Sequence, residues 1–334
     1  MLTDSFLFFQ ELDLLEIRLE YLYSVVDKFI IVEANETFSG LPKEFVFEKN
    51  IRRFNKYKDK IIYHKITNFH SNFDSLNKYL ISNNNEIYKE ILEYLISHNH
   101  YKKNNISDVL DSYHRECIHI PLRKFCKDDD LVLISDLDEI PSIEVLDEFK
   151  LKKTQPSFKE PFVFEQYEFK YYLNLYSNKK WLGSIVSPYK NIKYKSLNNL
   201  RINSQRLSLI KGGYHFTSVG GEKSIINKIE SWGHQEFNLN IIKLNIIDNI
   251  QNGKDIFYRF GEKDNKILDI SKEKIFDDKL KKIFKNYKNL IIDKKEKINN
   301  FKRIKFRFIQ IYVYLLRLKN NPLKGFIKII KKIF

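Results

Sequence analysis

The segment LVLISDLDEIP, residues 131–141, places three carboxylates directly after the most strand-like part of the chain. The apolar run from Leu131 to Ile134 favours a central parallel strand that is covered on both faces. Asp136 and Asp138 follow two residues apart, and this spacing puts both side chains on one face of an extended chain. Two such carboxylates repel each other unless a cation lies between them. Mg²⁺ and Mn²⁺ bind carboxylates together with substrate phosphates, so the segment predicts a metal–diphosphate site.

Two other interpretations of this segment were weighed. In the structural one, the carboxylates only end a strand in solvent, and Asp138 or Ser142 caps the helix that follows. In the other, Asp136 is a phosphatase-like nucleophile and Asp138 is its acid. That chemistry is disfavoured, because Glu139 follows the pair and the segment lies in the middle of the chain.

The elements before the carboxylates predict an α/β fold. Residues 5–9 and 29–34 are apolar enough for buried strands, and residues 61–66 form a third. The segment between the first two has apolar residues that step by three and four, which predicts an amphipathic helix. These residues are Leu12, Leu15, Leu19, Leu22 and Val26. A strand–helix–strand order of this length indicates a βαβ unit and a parallel sheet.

The remainder of the chain alternates between helical and extended patterns. We expect residues 72–106 to be a surface insertion with a helix near 86–97, and residues 108–126 to form one helix. A short helix follows Pro141, and another follows Gly220 and Gly221. Residues 160–176 and 207–217 are rich in aromatic and β-branched residues and are predicted to be extended.

Positive charge is concentrated at the C-terminus. The net charge is +15, but residues 297–334 hold 11 Lys or Arg and no Asp or Glu, so the rest of the chain is nearly balanced. An apolar stripe runs through this tail: Phe301, Ile304, Phe308, Ile311, Leu315 and Leu318. Its uncharged run is far shorter than the ~20 residues that span a bilayer. We expect a helix that lies on an anionic membrane surface, the alternative being a helix packed on the body with a solvated basic face. Nucleic-acid binding is disfavoured, because the aromatic residues lie on the apolar stripe.

Cysteine content and the N-terminal sequence bear on the compartment. Cys117 and Cys126 lie nine residues apart, outside any CxxC or disulfide framework, which favours a reducing compartment. The first residues have no basic region before their apolar stretch, so no signal peptide is predicted. Together these features predict a cytoplasmic protein on the cytoplasmic face of a membrane.

Four stretches resemble glycosyltransferase family 17. They are DSFLFFQELDLLEIRLEYLYSVVDKFIIVEANETFSGLPK at 4–43, RRF at 52–54, DLVLISDLDEIPS at 130–142, and GGYHFTSVGG with KIESWGHQEFN at 212–238. Members of this family include the β-1,4-mannosyl-glycoprotein β-1,4-N-acetylglucosaminyltransferases. The resemblance implies a GT-A type, Rossmann-like fold with a mostly parallel central sheet, a UDP-GlcNAc-like nucleotide-sugar donor, and Mn²⁺ or Mg²⁺ at the DxD motif.

The resemblance also assigns site residues. Asp136 and Asp138 would face the metal and the donor diphosphate. Residues after the first strand pair would hold the nucleoside, and an Arg-Glu pair would lie near the donor. These residues are Glu33, Asn35, Ser39 and Gly40 for the nucleoside, and Arg115 and Glu116 for the pair.

An inverting transfer also needs a base that deprotonates the acceptor hydroxyl. Glu222, at a predicted helix start, is the first candidate and Glu236 is the second; a helix-end carboxylate is the structural alternative for Glu222. His215 and His234 could supply a third metal ligand or bind phosphate. Trp181, Trp232 and Tyr214 could stack on sugar rings, although single His and aromatic residues are more often structural.

The sequence therefore predicts a glycosyltransferase domain at 1–270 and a basic amphipathic helical tail at 271–334. The expected acceptor is a glycan, such as a surface polysaccharide, a lipooligosaccharide or a glycoprotein glycan. The competing hypothesis is a non-catalytic glycan- or membrane-binding protein that has the same fold.

Overall fold

A computed structural model describes residues 1–152, 160–231, 237–293 and 300–320 of the chain, and these residues form one nine-stranded sheet. The strands are β1 (Leu2–Leu7), β2 (Lys28–Ala34), β3 (Ile61–Ile66), β4 (Leu131–Asp136), β5 (Glu139–Ile140), β6 (Phe162–Lys170), β7 (Leu175–Pro188), β8 (Ser208–Thr217) and β9 (Lys266–Ile267). The helices within the same ranges are α1 (Leu12–Leu22), α2 (Val46–Lys49), α3 (Phe73–Ser82), α4 (Glu86–Ser97), α5 (Ile106–Glu116), α6 (His119–Phe125), α7 (Ile143–Lys152), α8 (Leu197–Ile202), α9 (Gly221–Ser231), α10 (Asn240–Lys243), α11 (Ile246–Gln251), α12 (Asp278–Phe284) and α13 (Asn300–Asn320).

Most strands of the sheet run in one direction. The strand order is β3-β2-β1-β4-β7-β6-β8-β5, and β9 pairs with β7. β1 to β4 pair in parallel, β7 is antiparallel to β4 and β6, and β8 is parallel to β6. β6 and β8 therefore point the same way as β1 to β4, and the carboxyl ends of all six strands lie at one edge. This confirms the predicted mixed α/β fold with a large, mostly parallel sheet; the GT-A assignment remains a prediction.

The central strands are apolar on both faces because helices cover both sides of the sheet. Along β4, Leu131 and Leu133 belong to a core cluster that includes α1, whereas Val132 and Ile134 belong to a second cluster with α3 to α6. This alternation follows from the two-residue period of a strand. The predicted inner face of α1 is confirmed, since Leu15, Leu19 and Leu22 are fully buried; Val26 is also fully buried but follows the end of the helix.

Two predicted features of residues 72–126 need correction. The segment 72–106 is not only a surface insertion, because α3 and α4 bury Leu80, Ile91 and neighbouring residues in the second cluster. The predicted helix 108–126 is two helices, with a break between Glu116 and His119. Pro121 explains the break, since it lacks the N–H that a continuous helix needs there but is tolerated in the first turn of α6.

The C-terminal part packs in two places. Phe276, Leu280 and Phe284 belong to the first core cluster, so this part of the segment assigned to the tail packs with the body. A third cluster joins α9, α10, α11 and α13 to the ends of β6 and β7. Cys117 and Cys126 are free thiols. Within the described ranges, none of the helices has the length and apolar character needed to cross a bilayer.

Candidate active site

The carboxyl ends of β4, β6 and β8 gather polar side chains at one edge of the sheet. Asp136 ends β4, and Asp138 lies in the turn that follows. Glu168 of β6 lies opposite His215 of β8, and His215 lies opposite Glu139 of β5. Ligands of open α/β sheets bind at this edge, so the sheet topology alone makes the cluster the candidate site.

Asp136 is held between two arginines. Arg115 Nη1 donates to Oδ1 at 2.6 Å, and Arg201 Nη2 donates to Oδ2 at 2.8 Å. Burial acts to raise the pKa of Asp136, but the two guanidinium groups hold the pKa of this carboxyl well below its ordinary value. The Asp136 side chain is 37% exposed, whereas Arg115 and Arg201 are 7% and 10% exposed, so a ligand from solvent meets Asp136 first.

Glu139 is a buried anchor rather than a free carboxylate. Its two oxygens accept hydrogen bonds from Arg201 Nη1 and Nη2, both at 2.6 Å. Oε1 also accepts from Trp181 Nε1 at 2.7 Å, and Oε2 accepts from the Asp136 N–H at 3.0 Å. Glu139 therefore orients Arg201 and Trp181 toward the edge of the sheet.

Arg18 fixes the turn that carries the carboxylates. The side chain is fully buried, and its Nη1 donates to the main-chain oxygens of Asp136, Leu137 and Glu139 at 2.6–3.1 Å. Its Nε and Nη2 form two hydrogen bonds with Asp4 on β1, at 2.8 and 2.6 Å. The turn is thereby tied to the first βαβ unit.

Asp138 and His215 form the second half of the cluster. His215 Nε2 lies 3.6 Å from Asp138 Oδ1, and the Trp181 ring stacks on the His215 ring with a centroid distance of 4.6 Å. Burial lowers the pKa of His215, but Asp138 and Glu139 outweigh that effect and raise it above the ordinary value. His215 Nδ1 is buried without a hydrogen-bond partner. The sequence-predicted residues Asp136, Asp138, Trp181 and His215 are thus brought together.

Glu168 and Gln166 are two polar residues of this site that sequence reasoning missed. Glu168 is 8% exposed, and its Oε2 has no hydrogen-bond partner, the nearest cation being Lys170 Nζ at 3.5 Å. Gln166 is fully buried and lies opposite Trp181. The alternation Gln166, Glu168, Lys170 in a predicted strand could have indicated a polar face, because a strand alternates its side chains between two faces.

The residues predicted to hold the nucleoside lie at the carboxyl end of β2. Glu33 is fully buried and is occupied within the chain, since it accepts from Lys43 Nζ at 2.7 Å, Tyr63 Oη at 2.7 Å and two main-chain N–H groups. Asn35 Oδ1 is buried without a partner. Ser39 Oγ contacts Thr37 Oγ1 at 2.8 Å, and Gly40 has φ +77° with open space around it.

Glu36 extends this end of the site and was not predicted. Its Oε1 lies 3.5 Å from His114 Nε2, and both side chains are almost fully buried. Phe38 packs on the His114 ring at a centroid distance of 5.5 Å. His114 precedes Arg115 on α5, so this polar pair lies next to the arginine that binds Asp136.

Glu116 positions α8, the helix that carries Arg201. Its carboxylate accepts from Ser196 Oγ at 2.5 Å, from the Leu197 N–H at 2.9 Å and from the Asn198 N–H at 3.1 Å. These are N-terminal groups of α8, which Glu116 caps from another helix. The two residues of the predicted Arg115–Glu116 pair therefore have different contacts. Arg115 binds Asp136, and Glu116 holds α8, and with it Arg201, in place.

The remaining candidates form no hydrogen bond or ion pair with Asp136, Asp138 or His215 among the described residues, or lie outside those residues. Glu222 is in the first turn of α9 with an exposed side chain. The pKa of Tyr172 is raised above its ordinary value, mainly by burial and to a smaller extent by the charge of Glu222. Tyr214 is buried, and its ring stacks on Phe216 in the core. Glu236, His234 and Trp232 lie outside the described residues.

The carboxylates of the turn are engaged by neighbouring protein groups. In the described part of the chain, no group of three or more His, Cys, Asp or Glu side chains could hold a metal ion. Both oxygens of Asp136 bind arginines, and Glu139 is enclosed by Arg201 and Trp181. Asp138 and His215 are adjacent donors, but they are two rather than three. The positive charge at the site is supplied by Arg115 and Arg201.

Comparisons with known proteins agree with part of the sequence analysis. Residues 1–82 match glycosyltransferase family 17, a stretch that ends before Asp136. No curated protein matches the chain in sequence. Among solved structures, the chain is similar to 4-diphosphocytidyl-2C-methyl-D-erythritol synthase from Anaerococcus prevotii DSM 20548, with 10% identity and a TM-score of 0.32, over 68% of this chain and 93% of that one. A TM-score this low carries no argument about fold or function.

Proposed function

The first 82 residues match glycosyltransferase family 17, and on this premise we propose that the protein is a glycosyltransferase with a nucleotide-sugar donor. The observation that carries the proposal is the position of Asp136 between Arg115 and Arg201 at the carboxyl edge of the sheet. Guanidinium groups bind the oxygens of a diphosphate in two-bonded geometry. A donor diphosphate would compete with Asp136 for these two cations.

The two ends of the site would hold the two ends of the donor. Asn35, Glu36 and His114 offer polar atoms for the nucleoside, next to Arg115. The sugar would lie on the other side, toward Asp138 and His215, where Trp181 is 39% exposed and offers a face for a sugar ring.

Transfer breaks the bond between the sugar C1 and the diphosphate oxygen. The leaving nucleoside diphosphate keeps the electron pair, and Arg115 and Arg201 stabilise its developing charge. The acceptor hydroxyl oxygen forms the new bond to C1, and a base removes its proton. Glu222 stays a candidate base, and Glu168 is a second one, because its buried Oε2 has no hydrogen-bond partner, being 3.5 Å from Lys170 Nζ, and because it lies opposite His215.

Several narrower features belong to the proposal. The donor is a UDP-GlcNAc-like sugar nucleotide, and the acceptor is a surface glycan. A Mn²⁺ or Mg²⁺ requirement remains a prediction from the family resemblance. Because two arginine side chains donate hydrogen bonds to Asp136, these arginines are the first residues to test.

A donor panel tests the function. We would measure binding and slow hydrolysis of UDP-, GDP- and CMP-sugars, with Mn²⁺, with Mg²⁺ and with chelator. Selection of one donor, lost in Arg201→Met and retained in the surface control Arg53→Met, supports the proposal. Binding that survives chelation assigns the diphosphate to the arginines, whereas binding lost on chelation assigns it to a metal. A folded protein that binds no donor under any condition contradicts the proposal and favours a non-catalytic binding protein.

Hydrolysis then distinguishes the candidate bases. Asp138→Asn is expected to abolish transfer while the fold is kept. Of Glu168→Gln and Glu222→Gln, the variant that loses turnover but still binds the donor identifies the base.

A further inference from the structure

Helix α13 is apolar on two opposite sides. One side packs on the body: Val313 is 1% exposed, and the Phe306 ring packs against the Tyr258 ring with a centroid distance of 4.8 Å. The contact is fixed by Gln310, whose Nε2 donates to the Arg259 main-chain oxygen at 3.0 Å. This packed side belongs to the third core cluster.

The other side carries the stripe found in the sequence, and the four stripe residues whose side chains are described face solvent; Phe301 and Leu318 lie outside the described side chains. Ile304, Phe308, Ile311 and Leu315 are 56%, 70%, 50% and 56% exposed. They recur at steps of four, three and four, and at about 100° per residue they lie within one narrow strip of the helix surface. Phe306, Ile309 and Val313 lie on the opposite side. The helix thus packs on the body, as in the structural alternative, but residues other than the stripe make that contact.

Basic residues border the exposed stripe on both sides. Lys305 and Arg307 are exposed, and by the helical rotation they lie on either side of the line from Ile304 to Leu315. Residues 297–334 contain no Asp or Glu, so nothing in this segment neutralises them. A row of large apolar side chains between cationic flanks is complementary to a bilayer surface that carries anionic head groups.

We propose that the outer face of α13, formed by Ile304, Phe308, Ile311 and Leu315 with Lys305 and Arg307, docks the protein on an anionic lipid surface. The apolar side chains enter the boundary between head groups and acyl chains, and the lysine and arginine contact lipid phosphates. The packed face keeps α13 attached to the body, so docking needs no unfolding of the third cluster. This inference does not depend on the proposed catalytic function.

Vesicle flotation of the full chain tests the proposal. Vesicles of phosphatidylcholine and phosphatidylglycerol in equal parts are compared with vesicles of phosphatidylcholine alone. We expect binding to the anionic vesicles, and a loss of about tenfold or more in Phe308→Ser/Ile311→Ser, because two large apolar contacts are removed. Lys305→Glu/Arg307→Glu should lose the preference for the anionic vesicles. Leu151→Ser is the matched control, since Leu151 is 81% exposed on a different helix.

Two results overturn the proposal. One is equal flotation of the wild type and Phe308→Ser/Ile311→Ser, when both proteins show the same cooperative thermal unfolding transition. The other is absence of vesicle binding together with a dimer in solution that Phe308→Ser/Ile311→Ser dissociates, which would make the outer face of α13 an interface between copies of this chain.

Discussion

Glu139 and Arg201 form a buried ion pair with two hydrogen bonds of 2.6 Å, although 62 residues separate them in the chain. Arg201 uses the same guanidinium group to reach Asp136 at 2.8 Å. The DLDE turn and helix α8 are therefore one unit. Glu139, the last carboxylate of the turn, orients Arg201 toward Asp136, the first.

Glu116→Gln should weaken donor binding although Glu116 does not contact the site. The amide can replace only part of the cap on α8, so Arg201 loses its fixed position, and we expect the donor Kd to rise about fivefold, which corresponds to a lost cap of about 1 kcal/mol. Titration calorimetry with the selected donor measures it. Glu90→Gln is the control, because Glu90 is also a hydrogen-bonded carboxylate, held by two bonds from Arg123 outside the site.

A double variant distinguishes positioning of Arg201 by Glu116 from a purely structural role of Glu116. In an Arg201→Lys background, Glu116→Gln should change the donor Kd little, because its effect passes through Arg201. Additive losses would contradict this positioning role.

Arg18→Met should destabilise the fold strongly. It leaves Asp4 buried and unpaired and frees three carbonyl oxygens of the turn, and loss of one partner of a buried pair costs about 3–5 kcal/mol. Urea unfolding measures the change. Arg53→Met removes an arginine that pairs with Asp13 and Glu16 at the surface, where side chains are 20–38% exposed, and should cost under about 1 kcal/mol. Similar losses of unfolding free energy in the two variants would contradict the conclusion that Arg18 forms a buried ion pair that stabilises the fold.

Gly183→Ala should disrupt the site without altering the backbone conformation. A Cβ at this position meets Gln166 Oε1, Trp181 Cδ1 at 2.9 Å and Glu139 Cδ at 3.0 Å, so these side chains must shift. We expect donor affinity to fall about tenfold. A loss of this size lies within the range that an overpacking cost of about 1–3 kcal/mol produces. Adding Gln166→Ala removes the closest of these atoms and should restore part of the affinity; an unchanged affinity in Gly183→Ala alone would contradict the packing argument.

Acid should destabilise the protein through His119. This side chain is 1% exposed, its Nε2 lies 3.0 Å from the Lys195 oxygen, and burial together with the Arg123 charge lowers its pKa to about 4. A histidine whose folded pKa is depressed contributes stability above its unfolded pKa, near 6.5, and loses it as pH falls toward 4. The loss is up to about 3 kcal/mol.

Urea unfolding at pH 7.5, 5.5 and 4.5 measures this window. His119→Gln should show a smaller decrease over the same range than the wild type. An identical pH dependence of both proteins would assign the acid sensitivity to other groups.

The sequence was sufficient where a signal is local. The periodicity of α1, the two-sided apolar run of β4 and the DxD spacing each lie within a few residues, and they predicted the βαβ unit and the edge that holds Asp136, Asp138 and His215. The separation of α5 from α6 could also have been predicted, since Pro121 stands inside the apparent helix.

The sequence was insufficient where pairing is distant. Arg18 stands between Ile17 and Leu19, and nothing local indicates that it reaches Asp4 and a turn more than a hundred residues away. Arg201 is on a six-residue helix with no motif, and its role depends on Glu116. The tail periodicity predicted the apolar stripe but not the second apolar face of α13, which makes the contact with the body.

Strand β7 limits how the protein can change in length during evolution. Trp181 and Gly183 occur two residues apart and face the site, while the later part of the same strand, up to Pro188, pairs with β4 below the DLDE turn. Because side chains alternate along a strand, one inserted or deleted residue between the two parts would turn Trp181 away from the site or shift the pairing with β4. Homologues should therefore keep the spacing from Trp181 to Pro188 unchanged and vary in length outside it.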